Sequence, residues 1–292
     1  MAKSRTKNRG RRGGKSNNLL VWLGTALLPI IVLGLGGLAM TKAMGVERID
    51  SAFCYDRSDQ AEHVVFVDSS LKPDLSDQQL RDYVSGFERV WDRAAPNTRI
   101  STFTTARDTA TSVPTPLFQM CRPPRTSNEQ AEIGAPGRTD MYLQREFGEA
   151  EALYRGVVAR VLSDAQNSEV TAIDSPIMEQ LQSISRYDAF QGRDRSLTLI
   201  SDGIQNSETA RFCAVQGDLP SFSVFQSQPR YRRVEPRSFA DVRVDFLKVE
   251  SIVLPQPGAA YCTHDEISIF WQDYFESQGV RSFEINRLRH GG

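Results

Sequence analysis

The sequence predicts an α/β fold: a doubly wound, mostly parallel sheet with one antiparallel edge strand, preceded by one N-terminal transmembrane helix. Three observations predict it. Two apolar, β-rich runs lie far apart in the chain, and each ends in oxygen-bearing side chains. The first, from His63, ends in Asp68-Ser69-Ser70, and the second, from Ser196, ends in Ser201-Asp202-Gly203. Stretches with helical spacing alternate with strand-like runs, the order that gives a parallel sheet with helices on both faces. Residues 19–40 run for 22 positions without a charge, and roughly 20 suffice to cross a bilayer as a helix.

The N-terminal 18 residues hold seven basic residues and no acid. Positive flanks stay in the cytosol, so residues 1–18 read as a cytosolic tail, 19–41 as the membrane helix, and the rest as exported. A cleaved signal peptide is the competing reading. Its apolar region is usually about 7–15 residues, which is shorter than this one. Pro29, Gly34, Gly36 and Gly37 are tolerable in lipid, because a helix satisfies its own backbone there. Residues 42–61 read as a linker, and 62–288 as the exported domain.

Within that domain the elements follow in order. The first strand ends at Asp68. Residues 74–94 carry Leu75, Leu80, Val84, Phe87, Val90 and Trp91 at helical spacing, with Ser76 and Asp77 as start signals. Pro96-Asn97 turns the chain into a strand at 99–104. A third strand at 117–121 is close enough to pair as a hairpin, which makes it the antiparallel edge. Residues 122–139 are rich in Pro, Gly, Ser and Asn and read as an inserted loop. Residues 141–165 form a helix with Leu143, Phe147, Ala150, Leu153, Tyr154, Val157 and Val161 as its stripe. Ser175-Pro176 opens a helix over 177–187, with serine as cap and proline in the first turn. The Ser196 strand follows, then a strand at 242–249. Thr263 opens a helix through 277 with Gly279 after it, and 280–285 form the last strand. The aromatic group Phe270, Trp271, Tyr274 and Phe275 has core spacing.

Composition excludes several functions. The chain has 35 basic and 36 acidic residues. Eight of the basic ones and none of the acids precede Gly45, so the exported part is acidic by about nine charges. Such a domain does not bind nucleic acid non-specifically, and the basic tail beside anionic lipid reads as a topology signal. There is no nucleophile elbow and no phosphate-binding glycine loop. Arg230, Arg232, Arg233 and Arg237 make a basic stretch that reads as an exposed loop or hairpin. Three scattered histidines and the absence of a Cys-x-x-Cys pair argue against zinc. Oxygen ligands at strand ends suit a hard cation instead.

The strand-end motifs resemble those of the von Willebrand factor A-type (VWA) domain family. That family has a Rossmann-like sheet and a metal-ion-dependent adhesion site (MIDAS). Its pattern is Asp-x-Ser-x-Ser on the first loop, a threonine on the second and an aspartate, often before glycine, on the third. Asp68 and Ser70 match the first loop, Ser175 stands where the threonine would be, and Asp202 matches the last acid. The second serine of the first loop is replaced by Lys72, whose ammonium would oppose a cation if it pointed inward. The resemblance implies that Asp68, Ser70, Ser175 and Asp202 hold magnesium, or manganese or calcium. It also implies a protein–protein interaction module, not an enzyme, whose partner completes the ion's shell with an acidic oxygen. No small-molecule substrate is implied. The alternatives are a metal-free scaffold subunit of an envelope complex and a haloacid-dehalogenase-like phosphatase. The phosphatase reading needs a second acid two residues after Asp68, where Ser70 stands, and a final acid where Asn206 stands.

Four cysteines in an oxidising compartment favour disulfides, with three possible pairings. In the expected topology Cys54 and Cys121 fall at the lower end of the sheet, and Cys213 and Cys262 at the upper. This predicts Cys54–Cys121 and Cys213–Cys262. The basic leader and disulfide-permissive context suggest a bacterial inner membrane, with the C-terminal domain periplasmic or extracellular. Reporter fusions at the C-terminus should show export, and the mature protein should keep its basic tail. A mature N-terminus near Met44 overturns the anchor.

Overall fold

A computed structural model of the chain describes residues 49–68, 75–105, 115–135, 137–167, 175–192, 194–213, 219–250 and 262–289. The expected transmembrane segment, Ser70 and Lys72 lie outside the described residues. Among the described residues no helix is long and apolar enough to cross a membrane.

Six strands form one sheet: β1 (Glu62–Val67), β2 (Arg99–Thr104), β3 (Phe118–Cys121), β4 (Arg195–Ser201), β5 (Arg243–Val249) and β6 (Ser282–Leu288). Their spatial order is β3-β2-β1-β4-β5-β6, with all neighbours parallel except β2 and β3. Val64 to Val67 are almost wholly buried, as a central parallel strand covered on both faces requires. Winding reverses between β1 and β4, and the crevice of such a sheet opens at that switch point, beyond the strand C-termini.

The helices are α1 (Asp77–Arg93), α2 (Ser127–Glu132), α3 (Asp140–Asn167), α4 (Ile177–Ile184), α5 (Phe222–Gln226) and α6 (His264–Ser277). α1 starts on a capping box in which Ser76 and Gln79 bond reciprocally, and α6 starts on another between Thr263 and Glu266. α1 and α3 cover one face, where Val65, Val67, Phe87, Trp91 and Tyr154 share a core. α4, α5 and α6 cover the other, where Phe66, Phe103, Leu181, Phe225, Phe246 and Trp271 pack. Phe270, Trp271, Tyr274 and Phe275 are core side chains, as their spacing predicts.

Both disulfides form as the topology predicts. Cys54–Cys121 spans 4.9 Å between Cα atoms and Cys213–Cys262 spans 5.3 Å. The first ties the lead-in segment to β3 across 67 residues, a closure that stabilises by about 4 kcal/mol in the chain-entropy account. Asn97 secures the same corner: its Oδ1 accepts from Tyr55 N–H at 2.8 Å and its Nδ2 donates to Tyr55 O at 3.0 Å.

Several boundaries differ from the sequence expectation. The inserted loop contains α2, because Thr126 accepts from Glu129 N–H and caps a short turn within a Pro- and Gly-rich stretch. The helix expected to reach Tyr187 stops at Ile184, and a 3-10 turn, Asp188–Gln191, follows. α5 was not expected, since five residues are too few to show periodicity. The arginine stretch includes a 3-10 turn, Pro229–Arg233, and no hairpin. The last strand runs Ser282–Leu288, because its polar half still pairs with β5 through Leu288.

Two titratable groups at the start of β1 oppose one another. Glu62 is 2% exposed and accepts from Ser101 Oγ at 2.5 Å. Burial pushes its pKa up to about 7, with Ser101 and Arg99 acting the other way. Burial, and then Arg243, push His63 down to about 4. The stability linked to Glu62 is full below pH 4.5 and is lost as pH rises through 7. That linked to His63 is present above pH 6.5 and is lost as pH falls through 4. Glu62→Gln should therefore raise stability at pH 8 by on the order of 3 kcal/mol. The same variant should weaken on acidification from pH 6.5 to 4. Urea denaturation across this range checks both signs, and a Gln variant that is weaker at pH 8 contradicts the account.

Candidate functional site

Asp68 follows β1 and is fully buried at the switch point. Its N–H donates to Ile200 O at 2.9 Å, which continues the β1–β4 ladder one residue past the strand. The carboxylate is then encircled by hydroxyls from three other loops. Ser175 Oγ and Ser201 Oγ each donate to Asp68 Oδ2 at 2.8 Å, and Thr105 Oγ1 donates to Oδ1 at 3.2 Å. A buried carboxylate is costly unless it is hydrogen-bonded or paired, and these hydroxyls supply the bonds.

Each hydroxyl is placed by its own local structure. Thr105 ends β2, the parallel neighbour of β1, and its N–H donates to Val67 O at 3.2 Å. Ser175 is held by a small antiparallel bridge: its N–H donates to Asn206 O at 2.7 Å and its carbonyl accepts from Asn206 N–H at 2.9 Å. The loop carrying Asn206 is fixed by Glu179, which accepts from Gln205 Nε2 at 2.8 Å and Ser207 Oγ at 2.6 Å. Ser201 also accepts from Gly203 N–H at 2.9 Å. Gly203 has φ of +79°, and a Cβ there would lie 2.8 Å from Ile267 Cγ2 and 3.0 Å from Trp271 Nε1. Trp271 Nε1 donates to Gly203 O at 2.9 Å, so α6 is docked directly on the site loop.

Of the residues singled out by sequence, Asp68 and Ser175 come together. Ser175 does not cap α4 as expected: no side-chain cap bond is made there, and its hydroxyl goes to Asp68. Asp202 adjoins Ser201, but its Oδ1 accepts from Ile204 N–H at 2.8 Å and shapes the turn. Ser70 lies outside the described residues. Thr105 and Ser201 are the partners that sequence reasoning did not assign. Their signal was available, because in a parallel sheet both neighbours of β1 end level with it, and both end in hydroxyls.

Lys248 sits beside this loop. It faces Ser201 in the β4–β5 register, is fully buried, and donates from Nζ to His264 O at 2.8 Å. Glu250 Oε1 lies 4.0 Å away. Burial pulls the Lys248 pKa down to about 8; Glu250, Asp265 and Asp202 act against that, and Arg287 adds to it. Arg287 pairs with Glu250 and with Asp265, the latter at 3.0 Å. Among the described residues no group of three or more His, Cys, Asp or Glu side chains is placed to hold a metal. The described side chains that donate to Asp68 are hydroxyls.

Neither protein-family models nor curated proteins give a match to the chain. Among solved structures, it is similar to an aerotolerance-related membrane protein from Bacteroides fragilis, crystallised with multiple mutations to serine. The two are 14% identical with a TM-score of 0.31, over 77% of this chain and 91% of that one. A likeness of that depth carries no functional argument. The mostly parallel sheet with one antiparallel edge strand agrees with the fold class expected from the sequence.

Removing one hydroxyl should expose how much the carboxylate depends on it. Ser175→Ala and Ser201→Ala should each lower stability by about 1–3 kcal/mol, the cost of leaving a buried acceptor short. Both act on one oxygen, so the double variant should be non-additive. Chemical denaturation of the three variants checks this. Unchanged stability in both single variants contradicts the arrangement.

Proposed function

We propose that this chain is a membrane-anchored, exported VWA-like interaction module that binds a protein partner through a divalent cation at the Asp68 site. One observation carries the reading: hydroxyl oxygens from three separate segments converge on a buried carboxylate at the switch point. The donor chemistry fits a hard cation, since the described side chains bonded to Asp68 are all hydroxyls. Asp68, Ser70, Ser175 and Asp202 would hold the ion, directly or through water, with Thr105 and Ser201 beside them. The ion would supply a point of attachment for a partner's acidic side chain. The protein's own residues do the rest: the hydroxyls orient Asp68, and the Asn206 bridge holds Ser175 in place.

Anchoring through residues 19–41, with the domain in the periplasm, is supported by the charge asymmetry of the leader. It is also supported by two disulfides among the described residues, which belong in an oxidising compartment. A metal-free scaffold is the second reading. It is favoured by one observation: three hydroxyls already satisfy Asp68 without an ion.

Magnesium or manganese should raise the melting temperature of the full-length protein. An ion at a hundred times its dissociation constant stabilises by about 2.7 kcal/mol. Asp202→Ala should abolish the rise. Lys72→Ser should enlarge it, because a positive charge is removed and an oxygen added. A rise in the Lys72→Ser variant alone leaves the wild type as a metal-free module. No rise in either rejects the adhesion site.

A further inference from the structure

A cavity of about 370 Å³ lies at the opposite end of the sheet, beneath the C-terminal half of α1. Its floor does not match its position. On this face the upper parts of the strands are apolar, with Val65, Val67, Ile200 and Leu247 buried. Toward the strand N-termini the same face carries His63 on β1, Ser196 and Thr198 on β4, and Asp245 on β5. A sheet face under a helix ordinarily presents apolar side chains to it. A polar, hollow stretch in that place has the character of a binding pocket, and its volume falls within the range of small-molecule sites.

The polar groups are ordered. His63 lies 2.7 Å from Ser196 Oγ through Nδ1 and 2.9 Å from Thr198 Oγ1 through Nε2. Its lowered pKa keeps the ring neutral at pH 7, and both ring nitrogens are taken up by these hydroxyls, so the floor is polar and carries no charge. Arg89 and Arg93 line the cavity from α1. They are four residues apart and so share one helix face. Neither forms a hydrogen bond or ion pair with a described residue, whereas Arg243 is engaged with Asp194 at 3.0 Å. Asp245 and Glu284 bring negative charge to the same cavity. Asp245 Oδ1 accepts from Asn286 Nδ2 at 2.6 Å. Burial raises its pKa, and Arg89 and Arg93 act the other way, which places both arginines within electrostatic reach.

Two guanidiniums that make no direct hydrogen bond to a described residue, a neutral polar floor and two carboxylates define the ligand. A simple dianion would satisfy the arginines but would also meet Asp245 and Glu284. A zwitterion satisfies both sets. We propose that this cavity binds a short peptide with free ends, its carboxylate on Arg89 and Arg93 and its ammonium on Asp245 and Glu284. Val90 and Ala94 on the α1 wall leave room for small side chains. The site is separate from Asp68 and does not depend on the metal reading.

Calorimetric titration of the full-length protein in detergent micelles with Ala-Ala-Ala tests it. Saturable binding is expected, with at least tenfold weakening when the tripeptide is N-acetylated and again when it is C-amidated. Arg89→Ala combined with Arg93→Ala should reduce sensitivity to the C-terminal block, and Glu284→Gln sensitivity to the N-terminal block. Circular dichroism shows whether each variant is folded. Failure of the free tripeptide to bind overturns the proposal, as does equal affinity for its blocked forms. Arginine-dependent binding of inorganic phosphate in place of the peptide assigns the pocket to simple anions and overturns it too.

Discussion

The rest of the upper sheet depends on one burial: the Asp68 carboxylate, enclosed at the point where the winding reverses. A carboxylate taken out of water there must recover its hydrogen bonds from the protein. Among the described residues they come from Thr105, Ser175 and Ser201, on three segments that otherwise share no sequence neighbourhood. Each of those loops must then hold its hydroxyl still. The β2 end does so through the ladder, and the Ser175 segment does so through its bridge to Asn206. The β4 end turns sharply at Gly203 and takes the Trp271 indole as its support. The position of α6 follows from the same carboxylate, because a displaced Trp271 would release the loop that carries Ser201.

The two faces of the sheet use their helices differently. The face under α4, α5 and α6 is packed with aromatic rings, among them Phe212, Phe225, Phe270 and Trp271, in edge-to-face contacts. Such pairs add to their area burial. The face under α1 and α3 is apolar only toward the strand C-termini. There Trp91 stacks on Tyr154 at 5.0 Å, and Tyr154 Oη donates to Phe87 O at 3.0 Å. Gly86 lets α1 sit close over Leu247, since a Cβ there would be 2.3 Å from Leu247 Cδ1. Close packing at that point and a hollow beyond it are two parts of one arrangement.

The sheet was legible because its signals are redundant. Buried runs such as 63–67, the capping pairs of α1 and α6, and the positions of four cysteines all point to one topology. Local signals gave way where a tertiary partner outbid them. Ser175 before Pro176 reads as a helix cap, yet a buried carboxylate 107 residues away in sequence takes its hydroxyl. Ser201 shows in the sequence only as part of an oxygen-bearing strand end and Thr105 not at all, and their role toward Asp68 needs the register of three parallel strands. α2 and α5 were hidden by length. His63, Ser196 and Thr198 gave no sign of a cavity, because alternation identifies the face a residue occupies and not whether that face is filled.

An ion at Asp68 would have to compete with bonds already made. Hydrogen bonds to a charged group contribute about 1.5–3 kcal/mol each, and three hydroxyls now point at this one. Direct coordination of Asp68 would turn the hydroxyl lone pairs toward the ion and give up part of that energy. The buried ammonium of Lys248, close enough for Asp202 to act on its protonation, adds a positive charge near the same loop. Both effects weaken binding of a bare cation. A partner's carboxylate would offset them, because it adds negative charge and a further oxygen at the moment the ion binds. By linkage the ion and the partner then strengthen each other by the same factor. A site that is self-satisfied when empty is therefore compatible with a cation that binds well together with its protein partner and poorly without it.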